Sequence, residues 1–175
     1  EPPAQAVLLL TAVDPGMLLP TIVSRCRVLP LRPVPPETIQ EALISRYDAD
    51  PDEAANVARL SAGRVGWAIR ALQEPELLQQ RDQDVEALLA LMPKGQAARI
   101  KAAESFAKRS DVRNAIYEWQ MVWRDVMLLV VGCDDLVTNL KYEDDLKKLA
   151  ERVDLKRARE AVARTEQAVR QLDQN

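Results

Sequence analysis

The fold is decided by one long stretch of the sequence, DVRNAIYEWQMVWRDVMLLV, which occupies residues 111–130. Its apolar side chains recur at helical spacing: Ile116, Trp119, Trp123, Val126, Met127 and Val130. That spacing places them on one face of an α-helix, and Ser110 or Asp111 is the type of residue that caps a helix N-terminus. The stretch therefore predicts a long helix with one buried face.

The same pattern extends over most of the chain. After Pro75 it predicts helices near 76–92, 96–108, 111–131, 142–152 and 154–173, and before Pro75 it predicts three shorter ones near 37–47, 52–61 and 65–72. Hydrophobic residues make up 47% of the chain while aromatic residues make up 4%, a balance typical of packed helices. We therefore expect a mainly α protein.

The first thirty or so residues have a different pattern. Residues 6–12 are a continuous apolar run of strand length, and residues 26–31 predict a second strand, with a short helical stretch at 17–24 between them. Two strands cannot bury their faces alone. We therefore expect residues 1–31 to be the end of a larger α/β domain, and the proline cluster of Pro33, Pro35 and Pro36 to mark the boundary that follows it.

Charge and hydropathy exclude several function classes. The chain carries 24 basic and 27 acidic residues, a net charge of -3, so no global positive field attracts nucleic acid and any DNA contact must be local or shared with partners. The longest apolar runs, 6–10 and 126–131, are far shorter than the roughly 20 residues that span a bilayer. We expect a cytoplasmic protein that does not associate with a membrane.

Neither a metal site nor a phosphate-binding loop is predicted. Cys26 and Cys133 have no neighbouring cysteine and the chain contains no histidine, so zinc binding and histidine-based catalysis are not expected. The only adjacent Lys and Gly, Lys94 and Gly95, follow Pro93 outside any Gly-x-x-x-x-Gly-Lys pattern. We expect no cofactor to bind this chain by that route.

Two other features have structural and functional interpretations. Tyr117, Trp119 and Trp123 could form a platform on which bases stack, but the two tryptophans lie on an otherwise apolar helix face and core packing is the better interpretation. The basic residues between Lys141 and Arg159 alternate with carboxylates, which is typical of a solvated helix surface.

Several stretches together resemble a known family. Residues 1–3 (EPP), 7–11 (VLLLT) and 18–26 (LLPTIVSRC) resemble the end of the AAA+ core in subunits of the bacterial DNA polymerase III clamp loader. Residues 60–69 (LSAGRVGWAI) are similar to the second-sensor region of that family's lid domain. The resemblance implies an AAA+ remnant at 1–31, a three-helix lid domain at 32–74 and a helical collar domain at 75–175. Because few residues around Pro75 could carry contacts, we expect the lid and collar to be joined loosely.

The resemblance also implies a site. Ser24-Arg25-Cys26 would carry the arginine finger of the family, with Arg25 acting in trans on the ATP and magnesium bound by the neighbouring subunit. A guanidinium offers a planar pair of donors to the charge that develops on the γ-phosphate. Thr11 corresponds to a possible first sensor at the end of its strand. The chain itself would hold no cofactor.

One departure from the pattern separates the members of the family. In the ATP-hydrolysing gamma/tau subunits the lid motif carries a sensor arginine, and Gly66 stands at that position here. The departure favours the family's non-hydrolysing subunit, which is not an enzyme by itself. Its partners would be gamma/tau, delta, the sliding clamp and primer-template DNA. The alternatives are a gamma/tau-type motor and a helical interaction module unrelated to replication.

Overall fold

A computed structural model describes residues 5–12 and 15–173. In these residues it contains the following α-helices: α1 Pro20–Val23, α2 Pro36–Tyr47, α3 Pro51–Leu60, α4 Val65–Gln73, α5 Pro75–Leu91, α6 Gln96–Phe106, α7 Val112–Val130, α8 Glu143–Ala150 and α9 Leu155–Asp173. Short 3-10 turns lie at Pro15–Met17, Asp134–Leu136 and Leu140–Tyr142. The mainly α class is confirmed, and every helix predicted after Pro33 is present.

The two expected strands are not formed by the described residues. Residues 6–12 and 26–31 have no regular secondary structure, and the helical stretch at 17–24 is a 3-10 turn followed by the single turn of α1. Val7 and Leu9 are 85% and 87% exposed. A strand is stabilised by hydrogen bonds to a neighbouring strand and by burial of its faces. The described part of this segment supplies neither, so an apolar run of strand length stays unpaired. Residues 1–3 of the motif lie outside the described residues.

The chain divides into two compact units, Glu1–Arg32 and Pro33–Asn175. The loose joint expected near Pro75 is therefore not observed within the second unit. Only Glu74 separates α4 from α5, and Leu78 of α5 packs against the core formed by α2, α3 and α4. The predicted boundary between a lid domain and a collar domain, between residues 74 and 75, stays a prediction.

The helices α2, α3 and α4 enclose a small apolar core. Its buried members are Ile39, Leu43, Ala54, Val57, Ala58, Ala68 and Ala71. Local sequence determines where α3 begins: Pro51 is its first residue, and the Asp50 carboxylate accepts hydrogen bonds from the backbone N–H groups of Asp52, at 2.9 Å, and Glu53, at 3.2 Å. These bonds satisfy donors that have no partner inside the helix.

The helices α5, α8 and α9 pack around α7. Their shared core consists of Val85, Leu88, Val122, Val126, Val137, Tyr142, Leu146 and Ala158. Trp119 and Trp123 are half-buried against it, and the Trp119 indole N–H donates to the carbonyl of Asp84 at 2.8 Å. Both tryptophans therefore pack as the core interpretation predicted.

The loop between α3 and α4 has no room for a side chain at Gly63. Its φ is +85°, in the left-handed region, and a Cβ added there would lie 2.8 Å from Pro33 Cα and 2.9 Å from Val34 N. The close approach is fixed by a hydrogen bond of 3.1 Å from the Val34 N–H to the Gly63 carbonyl.

Gly63→Ala is expected to lower the free energy of unfolding by about 2 to 4 kcal/mol, because a strained φ and an overpacked contact both act on the folded state. Gly66→Ala is the matched control, since an added Cβ there meets nothing within 4 Å and Ala is the better helix former by up to about 1 kcal/mol. Urea unfolding followed by circular dichroism measures both. If both substitutions change the free energy of unfolding equally, the backbone strain and close contact expected for Gly63→Ala are absent.

Candidate functional site

The Ser24-Arg25-Cys26 segment forms the turn that ends α1. The N–H of Ser24 donates to the carbonyl of Pro20 at 2.9 Å, that of Arg25 to Ile22 at 3.1 Å, and that of Cys26 to Val23 at 3.1 Å. The Ser24 hydroxyl donates to the carbonyl of Thr21 at 3.4 Å. The three motif residues are thus held together by local hydrogen bonds at the C-terminal end of a short helix.

The Arg25 side chain is exposed. In residues 5–12 and 15–173 the structure contains no ion pair or side-chain hydrogen bond that holds its guanidinium. Cys26 beside it is an exposed free thiol. An exposed guanidinium on a hydrogen-bonded backbone turn can reach an anionic group on another molecule.

Thr11 lies in the apolar segment that the structure leaves without regular secondary structure, and it is exposed. Its role as a sensor stays a prediction, as does the role of Arg25. The described residues contain no group of His, Cys, Asp or Glu side chains placed to bind a metal ion. Among those same residues, no helix has both the length and the apolar character needed to cross a bilayer.

The region that resembles a second sensor contains no arginine free to act as one. Gly66 lies exposed near the start of α4, with open space where its Cβ would be. The guanidinium carbon of Arg64 lies 4.2 Å from the ring centre of Tyr117 and 5.4 Å from that of Trp67. Arg70 pairs with Glu74 at 2.9 Å. Packing does not require glycine at position 66, because a larger side chain would have room there.

A cluster of buried charged and amide side chains lies beside α7, and sequence reasoning missed it. Arg81 Nε lies 3.1 Å from Glu118 Oε2 in an ion pair that lacks hydrogen-bond geometry, and Arg81 Nη2 donates to the Asn139 side-chain oxygen. Asp125 is fully buried. A signal was present in the sequence: Glu118 and Asp125 share helical spacing with the core residue Val122, on the apolar face of α7.

Burial affects the pKa of one carboxyl group in this cluster. Desolvation raises the pKa of Glu118 above its ordinary value, while the positive charges of Arg81 and Arg64 oppose the rise. At its edge, Arg109 donates to Asp84 at 2.7 Å and to Asp111 at 2.6 Å. The hydrogen bond from Arg109 lowers the pKa of Asp111. The cluster is a set of paired charges rather than a nucleophile with a base.

Two comparisons with known proteins find matches. Residues 1–35 match the family described as DNA polymerase III, delta subunit. The DNA polymerase III subunit delta' of Bacillus subtilis (strain 168) is 26% identical over 148 residues, which cover 82% of this chain and 44% of that protein. This chain resembles delta prime. The resemblance predicted from the sequence is confirmed, and no solved structure matches the chain significantly.

The two matches differ in extent. The match to the delta subunit family includes Ser24, Arg25 and Cys26. The match to delta prime is 148 residues long, which is more than residues 1–74 contain, so it extends into the helices after Pro75. Those helices resembled the family only by position and helical character in the sequence. The chain spans 44% of the length of this curated relative.

Proposed function

We propose that this chain is part of a clamp-loader subunit of bacterial DNA polymerase III, which helps to load the sliding clamp on primed DNA. The observation that carries the proposal is the similarity to a delta prime subunit over 148 residues. The partners would be the gamma/tau and delta subunits, with the clamp and primer-template DNA reached through the assembled complex. The net charge of -3 fits a subunit whose contact with DNA is shared rather than its own.

Arg25 would act as an arginine finger in trans. During phosphoryl transfer, negative charge spreads over the γ-phosphate oxygens, and a guanidinium stabilises it without giving up a proton. The exposure of Arg25 at the end of α1 supports this role. ATP and magnesium would be bound by the neighbouring subunit, so this subunit would contribute to hydrolysis without being an enzyme by itself. Gly66 supports that assignment, because the position lacks the sensor arginine of the hydrolysing subunits.

The helices from α5 to α9 would form the collar that holds the ring together. Several large apolar side chains of this part are exposed, and they would be buried against the corresponding helices of partner subunits: Ile100, Val131, Leu136, Leu140, Leu155 and Leu172. Apolar surface of this kind is typical of a contact region between proteins.

Reconstitution tests the proposal. Full-length subunit, its clamp-loader partners, a fluorescent clamp and primed circular DNA are combined, and clamp retained on DNA is measured. We expect loading to fall to background when this subunit is omitted and to return when it is added back, whereas an unrelated protein of equal size has no effect. A complex that forms and loads clamps equally well without the subunit would contradict the proposal.

A further inference from the structure

Arg64 joins two parts of the unit Pro33–Asn175 that are distant in sequence. It lies in the loop between α3 and α4, yet its guanidinium carbon is 4.2 Å from the ring centre of Tyr117 on α7. The ring of Trp67, on α4, lies 5.4 Å away. The cation is therefore in contact with one aromatic ring from each part, and cation–π attraction strengthens as such a cation loses water.

The backbone around Arg64 is held in place. Arg64 Nε donates to the carbonyl of Ser61 at 2.9 Å, and the Ser61 hydroxyl donates to the carbonyl of Ala58 at 2.7 Å. The N–H of Gly63 donates to the Ser61 hydroxyl at 3.3 Å. These bonds attach the Arg64 side chain to the residues that end α3, and so to the α2–α4 helices.

The buried pair of Arg81 and Glu118 lies next to this contact. Arg81 is 5% exposed and Glu118 is 7% exposed, and the Glu118 carboxylate attracts Arg64 as well as Arg81. Arg64 Nη2 is buried and has no hydrogen-bond acceptor among the described residues. The lost hydration of that nitrogen is a cost of the packed arrangement, and attraction to the two rings and to the Glu118 carboxylate offsets it. Separating α4 from α7 would break the contact with Tyr117 and weaken the attraction to Glu118, both of which lie on α7.

We infer that Arg64 is a positioning residue that locks the α2–α4 helices onto the α5–α9 helices, so that the two parts move as one body. The region that resembles a nucleotide sensor then serves as a fixed joint. This inference goes beyond the proposed function and does not depend on it.

The joint is tested by a distance measurement on the 175-residue chain. Nitroxide labels are placed at the exposed positions Ser45 on α2 and Gln167 on α9, in a background in which Cys26 and Cys133 are replaced by serine. Electron–electron double resonance should give a narrow distance distribution for the parent protein. Arg64→Ala should broaden it, and Tyr117→Leu, which changes only the α7 side, should broaden it equally.

Control variants distinguish a residue that connects the two groups of helices from one that stabilises only its own loop. Arg70→Ala removes a nearby arginine, in α4, that is paired with Glu74 on the surface, and it should leave the distribution narrow. Arg64→Lys should broaden the distance distribution in part, because an ammonium lacks the planar face.

A double-mutant comparison tests the same contact through stability. The effect of the double variant on the unfolding equilibrium constant should differ by about tenfold from the combined effects of Arg64→Ala and Tyr117→Leu. If Tyr117→Leu leaves the distribution narrow, or if the two effects simply add, the inference is wrong. Tyr117→Leu tests it even if Arg64→Ala does not fold.

Discussion

Replacing Arg25 by alanine is expected to abolish ATP turnover at one site of the reassembled clamp loader while leaving the complex intact. An arginine finger interacts with the transition state more strongly than with the bound ground state, so its loss lowers the rate rather than assembly. Fingers of this kind contribute on the order of 10³ to 10⁵ in rate, equivalent to roughly 4 to 7 kcal/mol of activation free energy. Other working sites in the ring would dilute the loss in total turnover.

The matched variants are Arg25→Lys and Arg27→Ala. Lysine should fail as alanine does, because an ammonium cannot reproduce the planar pair of donors. Arg27 is also exposed and lies two residues away, so Arg27→Ala should retain normal turnover. ATPase activity stimulated by DNA and clamp is measured alongside clamp loading, and gel filtration reports the complex. If Arg25→Ala leaves ATP turnover and clamp loading unchanged, Arg25 takes no part in ATP hydrolysis.

Asp125→Ala is expected to lower the free energy of unfolding by about 3 to 5 kcal/mol, because several donors lose a charged acceptor and a buried group left unsatisfied costs about 1 to 3 kcal/mol. Asp125 is 0% exposed. Its Oδ2 accepts from the Thr138 N–H at 3.0 Å and hydroxyl at 2.9 Å, and from the Asn139 N–H at 2.8 Å and side-chain amide at 2.6 Å. Alanine would remove this acceptor, and the buried backbone N–H of Asn139 would lose its partner.

Asp145→Ala is the matched control, since it removes an exposed carboxylate that pairs with Lys148 at 3.0 Å on α8. A surface pair of this kind is worth about 0 to 1 kcal/mol. Urea unfolding monitored by circular dichroism compares the two variants. A loss in Asp125→Ala no larger than that in Asp145→Ala would show that the buried carboxylate does not organise the segment after α7.

Periodicity predicted the helices because an amphipathic helix is specified by residues close in sequence. The Asp50 cap and Pro51 determine where α3 begins without help from distant elements. The predicted strands at 6–12 and 26–31 are wrong because strand formation depends on residues that are distant in sequence. A strand depends on a partner elsewhere, and an apolar run cannot indicate whether that partner is present.

The same difference between local and long-range interactions decides which parts of the candidate site could be predicted. The turn that holds Ser24, Arg25 and Cys26 is made by neighbouring residues, so its position at the end of a helical stretch was predictable. The contact of Arg64 with Tyr117 joins residues that are far apart in sequence, and so does the bond from Arg81 to Asn139. No local pattern specifies such pairs. Only the charged positions on the apolar face of α7 indicated that a buried polar cluster was present.

The exposed apolar segment before α1 affects how the protein behaves when it is concentrated. Val7, Leu8 and Leu9 are 85%, 72% and 87% exposed, and the run from Ala6 to Ala12 contains no charge, proline or glycine. Such a run favours intermolecular sheets that grow by adding further copies. We therefore expect aggregation to compete with measurements made at high concentration, and we expect a chain that begins at Pro33 to aggregate less because it lacks this segment.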